Sequence, residues 1–262
     1  MSPFRQPHPL EFERITNFRD MGGHRTHDGR RLRPGRLFRS GHLGRASEDD
    51  VAKLATLGLR RVFDFRNRQD IEAEGADRLP TGADCVRLPM PDPARGNDIR
   101  SMIMSNREKL EEMFGDGKAE QLMVAEAAHV VQRRIEPYRE FMVGLCSGNA
   151  FPALFHCSAG KDRAGWAGSV VLLALGVPED EVIEQYLLSN RAAQALRENS
   201  TESDGGPWWN EVLQPLLEVR PEYIQASFEA VRADWGDFNG YLHRGLGIST
   251  EQRERLRNDL LE

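Results

Sequence analysis

The chain has 262 residues, a length that suits one α/β domain carrying insertions. Its formal net charge of −6 argues against broad binding to nucleic acid or to anionic membranes, because such binding needs a basic face. No apolar run is long enough to span a membrane, and the N-terminus lacks the core of a signal peptide. We therefore expect a cytoplasmic protein, and export by an unrecognised route stays open.

Cysteine usage also limits the class of protein. The three cysteines, Cys85, Cys146 and Cys157, show neither a disulfide framework nor the spacing of zinc ligands. We therefore expect a reducing compartment, which a thiolate nucleophile would need.

The first half of the chain alternates between strand and helix patterns. Residues 35–40, 61–65 and 85–88 predict strands, and a capping box from Ser47 to Asp50 begins a helix between the first two. Strands separated by helices are typical of a mostly parallel sheet flanked by helices. Ligands of such sheets bind at the carboxyl ends of the strands, where we expect Arg39, Asp64, Arg66, Asp92 and Cys157.

Residues 94–136 fit this sheet plan poorly. Methionines and charged residues recur there at helical spacing, interrupted by the glycines at 115 and 117. Two interpretations stay open: a pair of helices inserted as a lid over the site, or a helical hairpin packed on the sheet. Helical patterns fill most of the chain after residue 176, and no linker is visible, so we expect a single domain over residues 1–262.

Residues 151–165 form the segment with the clearest chemistry. An apolar run, a polar loop and a second apolar run predict a buried strand, a tight loop and a helix. A loop that enters a helix N-terminus offers unpaired N–H groups and partial positive charge to one point, which favours phosphate. The residues expected to line it are Ser158, Ala159, Gly160, Lys161 and Asp162.

Cys157 begins this loop and Arg163 ends it. The spacing places the thiol beneath a bound phosphorus atom and lets the guanidinium bind two phosphate oxygens. We expect the loop N–H groups, the helix dipole and Arg163 to lower the pKa of Cys157, so that a thiolate attacks at neutral pH. Three alternatives remain: a structural buried cysteine, a phosphate-binding module without turnover, and a rhodanese-like sulfurtransferase carrying a persulfide. Gly160 and Gly165 and the loop length fit phosphate better than persulfide.

The loop also carries a family resemblance. Residues 156–163 read His-Cys-Ser-Ala-Gly-Lys-Asp-Arg and match the His-Cys-x5-Arg signature of cysteine-dependent phosphatases. With further motifs at 17–20, 37–40, 64–66, 88–92, 186–190 and 240–242, the chain resembles the bacterial tyrosine phosphatases typified by a mycobacterial enzyme. The resemblance implies the phosphatase α/β fold, a helical lid and no metal or cofactor. It also implies phosphotyrosine proteins as substrates, with breadth to phosphoinositides, phosphoserine and phosphothreonine.

The resemblance assigns roles to individual residues. It makes Cys157 the nucleophile, Arg163 the phosphate clamp and Asp92 the general acid that later activates water. Lys161 is then a candidate contact for a second phosphate on an inositol ring. Asp162 would repel a phosphate dianion, so it must turn away, bind the lysine or a substrate group, or carry a proton. It is the alternative general acid.

Ala164 departs from the family pattern, which usually has threonine after the arginine. A hydroxyl there can donate a hydrogen bond to the cysteine sulfur and help it leave from the phosphocysteine. The loss of one hydrogen bond to a charged group costs about 1.5–3 kcal/mol. We therefore predict a working enzyme with slowed breakdown of the intermediate.

Overall fold

The computed structural model describes residues 10–93, 107–192, 194 and 207–262. Residues 94–106, the first part of the predicted lid, lie outside the described residues. In the described part of the chain, no helix is both long enough and apolar enough to cross a membrane.

The described residues form an α/β fold around a five-stranded sheet in the order β1-β2-β5-β3-β4. Its strands are β1 (Arg19–Asp20), β2 (Leu37–Ser40), β3 (Arg61–Asp64), β4 (Asp84–Arg87) and β5 (Ala153–His156). β1 pairs antiparallel with β2, and the other pairings are parallel. The prediction of a mostly parallel sheet is therefore confirmed, and β1 is an addition that the sequence did not predict.

Helices surround the sheet. They are α1 (Glu48–Thr56), α2 (Arg68–Glu74), α3 (Arg107–Phe114), α4 (Lys118–Arg133), α5 (Ile135–Leu145), α6 (Arg163–Leu175), α7 (Glu179–Leu187), α8 (Pro207–Leu217), α9 (Pro221–Trp235), the short α10 (Phe238–Gly240) and α11 (Thr250–Leu260). A π-helical turn, Tyr241–Gly245, follows α10. The predicted capping box of α1, from Ser47 to Asp50, is present.

The two faces of the sheet pack against different clusters because side chains alternate along a strand. Val62 and Leu154 point into a cluster with Leu54 of α1. Phe63 and Phe155 point into the main core, where Phe63 meets Phe141 of α5 edge to face with ring centroids 5.0 Å apart. β5 is buried along its whole length, so the segment that follows it leaves from the centre of the molecule.

Helices α3 and α4 pack mainly on α8 and α9 rather than on the sheet. Leu110, Met123, Leu213 and Tyr223 belong to one apolar cluster that joins the four helices. Near its C-terminal end, α4 also reaches the main core through Val130 and Val131. Residues 107–114 and 118–133 are thus two helices separated by a turn at the glycines of positions 115 and 117.

Candidate active site

Cys157 lies directly after β5, at the centre of the sheet, and is buried. Residues 156–163, called the signature loop from here on, then enter α6 at Arg163. The loop needs glycine at position 160, where φ is +66° and a Cβ atom would lie 2.3 Å from the carbonyl oxygen of Ser40. The predicted strand, loop and helix therefore occur in the predicted order.

Arg163 is the best anchored side chain of the loop and is 1% exposed. Its Nη1 donates to Asp70 Oδ2 at 2.6 Å and to the carbonyl of Met90 at 3.2 Å. Its Nη2 donates to Ser158 Oγ at 3.0 Å. Burial alone would lower the pKa of Arg163, but the charges of Cys157, Asp92 and Asp70 outweigh burial and raise it. The guanidinium is thus a permanent cation beside the thiol.

Asp92 lies near this cation on the segment after β4. Its Oδ1 is 3.8 Å from Arg163 Nη2, and its side chain is partly exposed. The structure therefore brings three predicted groups together: the cysteine, the arginine and the carboxylate of Asp92.

Lys161 is directed away from solvent. Its ammonium donates to the carbonyl of Leu216, at the end of α8, and to that of Glu218 at 3.3 Å. It also lies 3.5 Å from Asp162 Oδ2. The predicted contact of Lys161 with a second substrate phosphate requires this side chain to leave those two carbonyls.

The two carboxylate oxygens of Asp162 have different surroundings. Oδ2 forms the ion pair with Lys161, whereas Oδ1 is buried without a hydrogen-bond partner among the described residues. Burial raises the pKa of Asp162; Lys161 lowers it, and the charge of Asp92 raises it further. The carboxyl lines a cavity of about 30 Å³ that also touches Trp166, Tyr186 and Met123 of α4. Of the three expectations for Asp162, the structure realises the pairing with lysine.

An ionic cluster lies behind the loop, around His156. His156 Nε2 is 3.0 Å from Asp77 Oδ2, and Arg66 donates to Asp77 Oδ1 at 2.7 Å and to Asp64 Oδ1 at 3.0 Å. Burial would raise the pKa of Asp77, but His156 and Arg66 hold it at about 2. Asp64, Asp77 and His156 have the proximity of metal ligands. The donation by Arg66 already uses the carboxylate oxygens that a cation would need, so an ionic network explains this set.

Helix α2 supplies two carboxyl groups that the sequence analysis missed. Asp70 pairs with Arg163, and Glu74 hydrogen-bonds the hydroxyl of Ser158. Burial raises the pKa of Glu74, and Arg66 opposes that effect. A capping box from Asn67 to Asp70 begins α2. That box is a sequence signal that could have revealed the start of this helix, although not its position next to the loop.

These features define the class of site. A buried cysteine at the end of a central parallel strand, in a loop closed by an arginine at a helix N-terminus, is the arrangement of a cysteine-dependent phosphatase. The sequence matches the tyrosine phosphatase family over residues 10–262. The chain belongs to this family, and the expected resemblance is confirmed.

Two relatives by sequence agree with this assignment. The chain is 35% identical to a provisionally assigned tyrosine-protein phosphatase of Cupriavidus necator, over 94% of this chain and 86% of the relative. It is 30% identical to the triple specificity protein phosphatase PtpB of Mycobacterium tuberculosis, over 80% of this chain and 85% of the relative. Among solved structures, TpbA of Pseudomonas aeruginosa aligns with a TM-score of 0.30 and 15% identity, over 76% of this chain and 89% of that chain.

Proposed function

We propose that this protein tyrosine phosphatase hydrolyses phosphotyrosine in proteins through a phosphocysteine at Cys157. The observation that carries the proposal is the position of the Arg163 guanidinium, a buried cation at the N-terminus of α6 in the loop that Cys157 begins. A cation and unpaired helix N–H groups at one point stabilise the charge of a phosphoryl group in transfer.

The proposed reaction has two steps. The Cys157 thiolate forms a bond to phosphorus while the bond from phosphorus to the tyrosine oxygen breaks, and Asp92 gives its proton to that oxygen. Asp92 then takes a proton from a water molecule as the water oxygen attacks phosphorus and the P–S bond breaks. Phosphate leaves, and both the thiolate and the protonated Asp92 are restored. Asp162 is the alternative acid.

Substrate breadth is the second part of the proposal. The M. tuberculosis relative is named for triple specificity, and by analogy we propose phosphoinositides, phosphoserine and phosphothreonine as further substrates. Lys161 is the proposed contact for a second phosphate, made once its ammonium leaves the carbonyls of Leu216 and Glu218.

The lid is the third part. The chain is proposed to be a single domain whose insertion, residues 94–136, covers the site. Support comes from the cavity beside Asp162, which Met123, Glu126 and Val130 of α4 line.

Hydrolysis of p-nitrophenyl phosphate and of a phosphotyrosine peptide tests the reaction. Cys157→Ser should abolish turnover, whereas the control variants Cys85→Ser and Cys146→Ser should keep it. Wild-type protein that binds tungstate but releases no phosphate would identify a binding module instead. Lys161→Ala should lower turnover of phosphoinositides more than that of the peptide, and an equal loss on both would exclude the inositol-ring contact.

A further inference from the structure

Four consecutive backbone carbonyls of the signature loop accept hydrogen bonds from groups that lie outside the loop. The donors are the backbone N–H of His42 to Ser158 O at 2.9 Å, Asn17 Nδ2 to Ala159 O at 3.0 Å and Gly160 O at 2.9 Å, and Arg39 to Gly160 O at 3.0 Å and Lys161 O at 2.9 Å. Asn17 and Arg39 are thus the two side chains that span the middle of the loop. Neither role was predicted from the sequence.

The direction of these carbonyls fixes the direction of the N–H groups. In a trans peptide, the C=O of one residue and the N–H of the next point to opposite sides. Carbonyls directed outward therefore direct the N–H groups of residues 159–162 to the opposite side. In the described part of the chain, no group accepts a hydrogen bond from these four N–H groups. They are available to the oxygens of a bound phosphate.

The backbone conformation and the amide orientation of Asn17 both suit this contact. It is not glycine, yet its φ is +55°, a left-handed conformation that asparagine tolerates better than most residues. Its Oδ1 accepts a hydrogen bond from Arg19 Nη1 at 2.5 Å, which fixes the orientation of the amide so that Nδ2 faces the loop. Arg19 is held in turn by Ser189 Oγ at 3.0 Å.

Arg39 contributes a positive charge as well as hydrogen bonds to the loop. Its side chain is fully buried. Its hydrogen bonds go to the two loop carbonyls, to the amide oxygen of Gln185 at 3.2 Å and to Ser189 Oγ at 3.1 Å. These acceptors carry no formal charge, so the cation beneath the loop adds to the field that an anion meets there.

We infer that Asn17 and Arg39 are positioning residues for the phosphate site: they turn the loop carbonyls outward and so aim the N–H groups at the substrate. The inference rests on the proposed function, because it takes the loop as the site that binds the transferred phosphate. A merely structural role, in which Asn17 ties the N-terminal segment to the domain, gives a different result under substitution.

The key variant is Asn17→Asp. Aspartate has nearly the same shape and tolerates positive φ, but an ionised carboxylate cannot donate to the two carbonyls. Asn17→Gly is the second variant, since glycine adopts this φ without strain and adds no charge. Asn190→Asp is the matched control: Asn190 Nδ2 also donates to a backbone carbonyl, that of Val219 at 2.8 Å, outside the loop.

Three quantities are measured for each variant: tungstate affinity by calorimetry, kcat and KM on p-nitrophenyl phosphate, and the melting temperature. We expect both Asn17 variants to bind tungstate about tenfold to hundredfold more weakly, the effect of small misplacements in a binding geometry. Asn190→Asp should keep wild-type tungstate affinity at a comparable loss of melting temperature. Arg39→Lys should weaken tungstate binding as well, since lysine cannot span two carbonyls.

Wild-type tungstate affinity in folded Asn17→Asp and Asn17→Gly proteins would overturn the inference. The tungstate measurement needs no turnover, so it separates the two proposals. If the wild type binds tungstate without hydrolysing esters, the proposed function fails, and the inference stands or falls on the Asn17 variants alone.

Discussion

Asp70 Oδ2 lies 2.6 Å from Arg163 Nη1, and both side chains are 2% exposed. Asp70 also accepts a hydrogen bond from the backbone N–H of Asn67 at 3.0 Å, in the capping box that begins α2. One carboxylate therefore serves two purposes: it caps a helix and fixes the guanidinium of the signature loop. Arg163 is oriented before any substrate arrives, which lowers the entropy lost on binding.

We predict that Asp70→Asn weakens catalysis more than stability. Asparagine can still accept the capping hydrogen bond, but it leaves Arg163 without its closest counter-charge. We expect kcat/KM on p-nitrophenyl phosphate to fall about tenfold to hundredfold, while thermal melting shows a folded protein. Asp50→Asn is the control, because Asp50 is the equivalent buried residue in the capping box of α1. Equal losses of activity in the two variants would show that Asp70 does not position Arg163.

The ionic cluster predicts how stability depends on pH. His156 and Arg66 overcome burial and keep the pKa of Asp77 at about 2, below the value of an unfolded aspartate. Ionised Asp77 therefore stabilises the fold above the unfolded pKa near 4, and this contribution disappears as the pH falls through about 2. The gap in unfolding free energy between wild type and Asp77→Asn should be about 2 kcal/mol at neutral pH and shrink on acidification.

Chemical denaturation at several pH values measures this gap. High salt is the control, because salt screens buried pairs far less than exposed ones. A gap that stays constant from neutral pH to pH values near 2 would mean that Asp77 contributes through packing rather than through its charge.

A substitution at Ala164 should increase the rate of turnover. It is fully buried next to Arg163 at the start of α6. Ala164→Ser restores the hydroxyl that the family usually has and adds only one heavy atom. We expect breakdown of the phosphocysteine to accelerate about tenfold, the equivalent of 1.4 kcal/mol.

Stopped-flow release of p-nitrophenol measures this change. The wild type should show a burst followed by slow turnover, and Ala164→Ser should show a smaller burst and a higher steady rate. Ala174→Ser adds the same hydroxyl at a fully buried position near the other end of α6 and should leave the burst unchanged. No burst in the wild type would mean that another group already assists the departure of the sulfur.

Local patterns predicted the sheet and the loop, because each is encoded in consecutive residues. The strands at 37–40, 61–64 and 153–156 each contain two or three consecutive apolar residues, and the motif from Cys157 to Arg163 lies in one segment. β1 has two residues, too few to show alternation, so it was missed.

Contacts distant in sequence were not predictable. Asp70 and Arg163 are 93 residues apart, and Asn17 and Gly160 are 143 residues apart. The expected contact of Lys161 with substrate comes from the family resemblance, which says nothing of where the ammonium lies in the folded protein. Its ammonium donates to the carbonyl of Leu216 near the end of α8, a contact that depends on tertiary packing and that the sequence does not predict.

The raised pKa of Asp162 predicts that substrate binding depends on pH. Burial raises the pKa of its carboxyl, and Asp92 adds to this effect against Lys161. The neutral form therefore persists to a higher pH than for an ordinary aspartate, and the carboxylate that forms above this pKa repels a phosphate dianion. We expect the wild-type KM to rise with pH relative to that of Asp162→Asn, and the two to converge at low pH. Parallel KM profiles would mean that Asp162 does not face the substrate phosphate.

Asp92 and Asp162 can be separated as general acids by the choice of leaving group. Protonation matters little for p-nitrophenolate, which leaves readily, and greatly for the more basic phenolate. If Asp92 is the acid, Asp92→Asn should lose about 10²–10⁴ in kcat/KM on phenyl phosphate and much less in kcat/KM on p-nitrophenyl phosphate, because kcat/KM reports the step in which the phenol leaves. Asp162→Asn should change both by a similar factor, because an effect of Asp162 on binding of the phosphate does not depend on the leaving group. A selective loss on phenyl phosphate in Asp162→Asn, with none in Asp92→Asn, would transfer the role to Asp162. Its raised pKa would then keep the acid protonated to a higher pH than for an ordinary aspartate, at the cost of the ion pair with Lys161.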